Sequence, residues 1–472
     1  MLGQDRWGWE TGSLAPTGAQ GLDTAAATAK DPTAKDPTAT EPLARADASS
    51  PGALASIGIV GGGQLAWMLA AAASRLGVAL HVQTPADDDP AAERAASLVL
   101  AAVDDVAATR RLAGRCGAIS FENEWIPIEA LEVLAEEGVQ FIPGLHALHP
   151  LVSKRSQREL LNQLYLPAPR WCPLAAVYAP PLPDPLASGP LEPHGEQGAL
   201  AAASDPGQPA SPPPCLPEGF HFPVMAKACL GGYDGKGTRP LRDQSELELL
   251  LTEVELDGWI LEEMVAFQQE LALVACRDRC GSVACFPLVQ THQHRQVCDW
   301  VLFPAPVDHC VEAFARNVAV SLLTALDYVG VLSIEFFYGP GGLQVNELAP
   351  RTHNSGHFTI EACRSSQFEQ QVRIVAGLPL ASVEPQVAGA VMVNLLGFEE
   401  SSSDYAELRQ RLAGLSGAQL HWYGKRQAHP GRKLGHLTLV LESRTPVERA
   451  EELEQRLAEV RAIWPLQQFQ IL

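Results

Sequence analysis

Leu230-Gly231-Gly232-Tyr233-Asp234-Gly235-Lys236-Gly237-Thr238 begins three residues after Lys227, the lysine that ends the apolar run Phe222-Pro223-Val224-Met225-Ala226. Four glycines between 231 and 237 let the backbone turn tightly and bring its N–H groups close to an anion. Lys236 adds positive charge within the loop, and Lys227 stands at a strand end where an ammonium reaches a phosphate. The stretch reads as a flexible cover over nucleotide phosphates. It is not a Walker loop, which needs G-x-x-x-x-G-K-[ST]. A plain glycine-rich hairpin is the alternative.

A second constellation lies downstream. Val329 to Phe337 reads as a strand, Gly339-Pro340-Gly341-Gly342 as a turn, and Leu343 to Glu347 as the returning strand. A hairpin symmetric about Gly341 sets Glu335 opposite Glu347. Two bare carboxylates at ~4 Å repel by about 4 kcal/mol at an effective dielectric of 20. A favourable cross-strand pair contributes only about 0.2–1 kcal/mol. Either solvent separates these charges or a cation sits between them, and oxygen-only ligands point to Mg²⁺. A solvated acidic edge is the alternative. Asn346 lies beside Glu347, and Arg351-Thr352-His353-Asn354-Ser355-Gly356-His357 follows as a dense run of polar groups. Arg351 can fork onto a phosphate or a carbonate.

The rest of the chain sets the frame. A length of 472 residues suggests about three domains. A formal charge of −21 argues against general nucleic-acid or anionic-membrane binding, while leaving room for a local basic pocket. No apolar run is long enough to span a bilayer, and no secretory pattern is visible. The ten cysteines include no C-x-x-C pair and read as free thiols of a reducing, cytoplasmic setting. Residues 1–55, with a tandem Lys-Asp-Pro-Thr-Ala and few large apolar groups, read as a disordered tail. Twelve prolines between 180 and 217 read as an insertion in a surface loop.

Between these segments, strands at Ser56–Val60, Val78–Val82, Leu98–Ala102, Ala118–Phe121 and Val139–Ile142 alternate with helical spacing. That pattern predicts a doubly wound parallel sheet over 56–150. A helix near Lys154–Leu164 opens an α+β domain over 151–385, and 386–472 reads as a small β-rich domain with a terminal helix.

Gly61-Gly62-Gly63-Gln64-Leu65-Ala66 fits the G-x-G-x-x-[GA] dinucleotide fingerprint. The second strand, however, ends Val82-Gln83-Thr84-Pro85, without the acid that holds a ribose. NAD binding therefore lacks its confirming partner. Phosphate binding at the following helix N-terminus, or a purely structural turn, remains. Glu122 and Glu124, after a strand, can bind sugar hydroxyls or cap the helix beginning near Pro127.

Taken jointly, Gly61-Gly62-Gly63-Gln64-Leu65, the loop Gly231–Gly237, Asn346-Glu347-Leu348-Ala349-Pro350-Arg351, His353-Asn354-Ser355-Gly356-His357 and Gly431-Arg432-Lys433-Leu434-Gly435-His436 resemble the ATP-grasp enzymes. Among these, the chain is most similar to the N5-carboxyaminoimidazole ribonucleotide synthase family. The resemblance runs from about Ile57 to the C-terminus, omitting the proline-rich insertion. It implies an ATP-grasp fold of mixed α/β and α+β class. It also implies carboxylation of aminoimidazole ribonucleotide with ATP and bicarbonate, with Mg²⁺ as cofactor, in a cytoplasmic homodimer.

Residue roles are implied as well. Lys154, Lys227 and the loop Gly232, Tyr233, Asp234, Gly235, Lys236, Gly237 and Thr238 would surround ATP phosphates. Glu262, Glu263, Met264 and Val265 would hold adenine, Glu270 the ribose, and Gln293 would stand where a nucleotide-contacting histidine is expected. Glu335 and Glu347, with Asn346 adjacent, would hold the metal. Gly62, Gly63, Gln64, Glu122, Tyr233, Asp234, His353, Asn354, Ser355, Lys425 and Arg432 would meet the ribonucleotide. Asp234, Arg351 and Lys425 would act in the chemistry. Ala66-Trp67 departs from the family's Gly-Arg, and the spacing from Lys425 to Gly431 is one residue long. A formate-using glycinamide ribonucleotide transformylase, an ATP-binding scaffold without turnover, and an NAD oxidoreductase are the competing readings.

Overall fold

The computed structural model describes residues 54–178, 214–232 and 235–466. All but the last two residues of the expected tail, most of the proline-rich insertion, and both Tyr233 and Asp234 lie outside the described residues.

The alternating segment forms β1 (Ser56–Val60), α1 (Gln64–Leu76), β2 (Ala79–Thr84), β3 (Ser97–Leu100), α2 (Val106–Ala113), β4 (Ile119–Phe121) and α3 (Ile128–Glu136). The strands make a parallel sheet in the order β3-β2-β1-β4. α1 buries Leu65, Met68, Leu69 and Leu76 against one face, while α2 and α3 bury Leu112, Leu131 and Leu134 against the other. Covering both faces is what makes such strands continuously apolar. The expected strand at Val139–Ile142 is not one. Only Phe141 bridges Ile119, and Pro143, which has no N–H to continue a ladder, follows at once.

After α4 (Leu145–Leu148) and α5 (Lys154–Gln163) comes a second layer. It consists of β5 (Trp171–Pro173), β6 (Val224–Ala228), β7 (Thr238–Leu241), α6 (Gln244–Glu253) and β8 (Trp259–Glu263). These strands form an antiparallel sheet ordered β5-β8-β6-β7 over its own core of Val224, Leu241, Leu247, Leu250 and Leu261.

The third layer holds β9 (Gln269–Arg277), β10 (Val283–Cys285), β11 (Val289–His294), β12 (Val297–Phe303), α7 (His309–Ala325), β13 (Gly330–Gly339) and β14 (Gly342–Ala349). It continues with α8 (Thr359–Ala362), α9 (Gln367–Ala376), β15 (Gly389–Leu396), α10 (Ala406–Ala413), β16 (Ala418–Trp422), β17 (Lys433–Leu441) and α11 (Pro446–Arg461). Its nine strands make one antiparallel sheet, β14-β13-β9-β11-β12-β15-β17-β16, with β10 on β9. α7 and α9 cover opposite faces. β12 pairs with β15 from Trp300–Val393 to Phe303–Ala390, so the sheet crosses the boundary expected near 385. The C-terminal segment extends this sheet by three strands and is not a separate β-rich unit. α11 closes it, starting at a Thr445/Glu448 capping box.

Glu335 does face Glu347 across β13 and β14. The turn, however, is not symmetric about Gly341. Gly339 pairs with Gly342 and Phe336 with Val345, and a bulge at the Glu335/Phe336 step inserts Asn346 as an extra residue. Without that bulge Glu335 would face Asn346. The expected pairing therefore holds for a reason the symmetry argument did not contain.

Candidate active site

A cavity of about 1010 Å³ opens where the three layers meet. Its lining draws on α1, the loop after β4, α5, β6, β8, β9, β11, β13, β14 and the loop before β17.

The floor is an ion network. Lys227, on β6, donates from Nζ to Glu262 Oε2 at 2.7 Å and to Asn346 Oδ1 at 3.1 Å. Arg158, on α5, donates from Nε to Glu262 Oε1 at 2.6 Å, and its two terminal nitrogens reach the carbonyls of Val345 (3.2 Å) and Asn346 (2.6 Å). Burial alone would raise the Glu262 carboxyl, but Lys227 and Arg158 outweigh it and draw its pKa down to about 2. Burial lowers the Lys227 pKa, and Arg158 and Lys154 add to that against Glu262. The two partners thus shift in step because one anion sits among several cations. The Glu262 side chain is committed to this network, so any contact of the Glu262–Val265 segment with a base falls to its backbone and to Glu263, Met264 and Val265, which line the cavity.

The carboxylate pair is asymmetric. Lys154 Nζ lies 2.6 Å from Glu347 Oε1. Burial opposes the Glu347 charge, but Lys154, Lys227 and Arg351 overcome it and lower its pKa. At Glu335 the cations Lys154 and Lys433 are outweighed. Burial, then repulsion from Glu347 and Glu270, push it up to about 8. Glu270, facing the same cavity from β9, is raised by burial to about 7. Glu335 and Glu270 are short of positive charge, and a divalent ion at the Glu335–Glu347 pair would supply it. The donors are all oxygen, which matches Mg²⁺. Among the described residues no group of three His, Cys, Asp or Glu side chains is disposed to hold a metal by itself. That accords with an ion taking its remaining ligands from phosphates and water.

The first glycine loop departs from expectation. Glu122 accepts from the N–H groups of Gly63 (2.6 Å), Leu65 (3.0 Å) and Ala66 (3.4 Å). The anion at the α1 N-terminus is therefore the chain's own carboxylate, and Glu122 caps α1 instead of the helix after Pro127. A Cβ on Gly62 would collide with Thr84 Oγ1, so Gly62 permits a close backbone approach. Gly62 and Gly63 lie outside the cavity lining, while Gln64 and Glu122 belong to it. Glu124, offered as a sugar ligand or cap, instead forks with Arg351 at 2.6 and 3.2 Å. Arg351 thus faces the cavity already paired.

The His353–His357 run divides in two. His353 lines the cavity, its Nε2 3.7 Å from Glu335 Oε1, and burial followed by Arg351 holds its pKa well below the usual imidazole range. Asn354 and Ser355 point elsewhere. Asn354 and Asn394 exchange amide hydrogen bonds of 2.9 and 2.7 Å, and Ser355 meets Ser333 and His353. Neither residue lines the cavity, where the resemblance places a ligand contact for them.

On the far side Lys425, Arg432 and Lys433 line the cavity. Lys425 donates to the Lys433 carbonyl at 2.8 Å and Arg432 to that of Gln427 at 2.7 Å. Gly232, Gly235, Lys236 and Thr238 of the second glycine loop, with Glu263, also face in. Gln293 lines the wall beside a bulge that inserts Asp299 into β12, and its neighbour His292 stacks on Trp300 at 4.9 Å. Arg158 was missed from the sequence. Its one signal was that Gln157 and Arg158 share the buried side of α5 with Leu160 and Leu161.

Family models match three successive stretches. These are a ribonucleotide synthetase preATP-grasp domain over 54–150, an ATP-grasp domain over 215–368, and a phosphoribosylaminoimidazole carboxylase C-terminal domain over 390–450. The N5-carboxyaminoimidazole ribonucleotide synthase of Synechococcus elongatus is 48% identical over 409 residues, covering 87% of this chain and 95% of the relative. This chain belongs to the N5-carboxyaminoimidazole ribonucleotide synthase family. The synthase of Synechocystis sp. is 41% identical over 423 residues, covering 87% of this chain and 98% of its own. Among solved synthases, that of Thermus thermophilus superposes with a TM-score of 0.69 at 32% identity, covering 88% of this chain and all (100%) of the other. The Aspergillus clavatus synthase in complex with ADP and 5-aminoimidazole ribonucleotide superposes with a TM-score of 0.70 at 26% identity, covering 86% and 98%. A synthase of this family is an ATP-grasp ligase; the preATP-grasp match is the first layer, the ATP-grasp match spans most of the second layer and β9 to α8 of the third, and the C-terminal match takes in β15 to β17.

Proposed function

We propose that this chain carboxylates 5-aminoimidazole ribonucleotide to N5-carboxyaminoimidazole ribonucleotide, consuming ATP and bicarbonate and releasing ADP and phosphate. The observation that carries this reading is that one cavity is lined by Lys154, Lys227 and the glycine loop, and also by Lys425, Arg432 and Lys433. A nucleotide triphosphate and a second phosphorylated substrate each need such a basic set.

In this reading Lys227 and Lys154 hold the triphosphate, the Glu262–Val265 segment takes the base and Glu270 the ribose. Glu335 and Glu347, with Asn346 beside them, would hold Mg²⁺, which would neutralise charge on the phosphate oxygens. A bicarbonate oxygen attacks the γ-phosphorus, and ADP leaves with the electrons of the bond broken. The resulting carboxyphosphate separates into phosphate and CO₂. The exocyclic amine bonds to that carbon and gives up a proton. The Arg351–Glu124 fork orients the bicarbonate anion, and His353, kept neutral by burial with its Nδ1 accepting from the Ser355 N–H, presents Nε2–H as a donor on the Glu335 side of the cavity. Lys425 and Arg432 hold the ribonucleotide. Assigning the amine proton to Asp234 rests on sequence, and an Asp234→Asn variant with undiminished rate would refute it. Closing the glycine loop would shield carboxyphosphate from water.

The test mixes protein, MgATP, bicarbonate and aminoimidazole ribonucleotide and follows phosphate. Release that depends on both the ribonucleotide and bicarbonate is expected. Release driven instead by formate and glycinamide ribonucleotide would overturn the assignment. An EDTA arm, expected to stop turnover until Mg²⁺ is restored, tests the metal.

A further inference from the structure

We propose that Arg158 is a positioning residue for ATP turnover, locking the phosphate-binding lysine and the metal-binding strand into one register. The inference rests on the ATP-site reading given above and adds to it a residue outside the cavity lining. Arg158 is almost fully buried, with a side-chain exposure of 3%. Its three nitrogens have three separate acceptors. Nε takes Glu262 Oε1, and the terminal nitrogens take the carbonyls of Val345 and Asn346. Those two carbonyls belong to the bulge that turns Glu347 to face Glu335. The other oxygen of Glu262 accepts from Lys227, which also donates to Asn346 Oδ1. One planar fork therefore joins β8, the bulge of β14 and, through Glu262, the ammonium of β6.

The geometry explains why the group is a guanidinium. A lysine at 158 carries the charge but is a point donor on a flexible stem, and cannot span a carboxylate and two carbonyls in fixed directions. Without the fork, the Val345 and Asn346 carbonyls lose their buried partner. Glu262 is then left with Lys227 alone and draws that ammonium away from a phosphate. Groups that orient metal ligands from behind typically change metal affinity or activity by roughly 10- to 100-fold when altered.

The experiment compares Arg158→Lys with the wild type. Thermal unfolding reports the fold. Mn²⁺ titration followed by electron paramagnetic resonance, with ADP present, reports the metal strand without turnover. The kcat and the KM for ATP report the rest. We expect a folded variant whose Mn²⁺ binding weakens and whose kcat falls roughly 10- to 100-fold, with the KM for ATP changing less than kcat. A purely structural role predicts a lowered unfolding midpoint with Mn²⁺ affinity and kcat per folded molecule like wild type, and that result overturns the inference. If Arg158→Lys does not fold, Glu262→Gln, which preserves size and removes the shared anion, reads the same link. A matching loss of kcat supports it and an unchanged kcat overturns it. The Mn²⁺ and ADP measurements need no ribonucleotide. A wild type without ribonucleotide-dependent turnover would thus sink the proposed function while leaving this comparison readable.

Discussion

Two glycine loops in this chain look alike on paper and differ in what fills them. The first, Gly61–Gly63, leads into an α1 N-terminus whose Gly63, Leu65 and Ala66 N–H groups are turned onto Glu122, and its Cα positions are pressed against Thr84 and Glu122. The second, Gly231–Gly237, has Gly231 in open space and Gly232, Gly235 and Lys236 facing a cavity that contains Lys227. Glycine spacing describes what a backbone can do. Whether a ligand or the protein's own side chain occupies the resulting hollow depends on residues far away in sequence, here Glu122 in the one case and Lys227, Glu262 and Asn346 in the other.

The contrast can be broken most forcefully at Lys227. Lys227→Met should cut ATP-dependent turnover by roughly 10²–10³, the usual cost of removing one preorganised donor. An ADP-release assay checks this, and a mild effect would mean the triphosphate lies elsewhere. Next, Gly62→Ala should destabilise the fold by about 1–3 kcal/mol through overpacking on Thr84 while leaving the KM for ATP unchanged. Urea unfolding measures the first part, and a raised KM would return a ligand to the first loop.

A subtler probe uses pH. The unfolded chain releases the Glu335 proton near the ordinary 4.5, whereas the folded protein keeps it to about 8. In metal-free protein that contribution to stability is complete below about 4.5, shrinks as pH rises, and is gone above about 8. Glu335→Gln should flatten the slope of the unfolding midpoint across that window and raise the midpoint at its alkaline end. A slope equal to wild type would mean the acid pair is well solvated. Smallest of all, the exposed Arg426–Asp88 pair joins the loop before β17 to the loop after β2. Arg426→Ala should change stability by less than about 0.5 kcal/mol in urea, since exposed pairs contribute little.

Local patterns carried much of this architecture. The strands β1 to β4 and the helix α1 follow directly from apolar runs and helical spacing, because each buries its own face against neighbours close in sequence. Non-local pairing was less visible. Val139–Ile142 has strand-like residues, but its ladder stops at Pro143. The join between β12 and β15 depends on which edges meet, which no local pattern encodes, and so a separate C-terminal domain was expected. In the site, Lys227, Glu335 and Glu347 announce themselves as charges set among the apolar residues of strands. Asn354 and Ser355 look identical to ligand-binding residues in sequence, and only their buried partners Asn394 and Ser333 show otherwise. Arg158 was hidden because a charge on the buried side of a helix has meaning only once its acceptors are placed.

The uninterrupted nine-stranded sheet has a practical corollary. A shortened protein ending before Gly389 would strip β15 from β12 and lay bare a long row of unpaired main-chain amides and carbonyls. Such an edge recruits strands from other molecules, so this truncation should aggregate instead of yielding a smaller working enzyme. The four-stranded layer that carries Lys227 has its own core and lies outside that continuous plate, tied to it at β14 through Lys227 and Arg158.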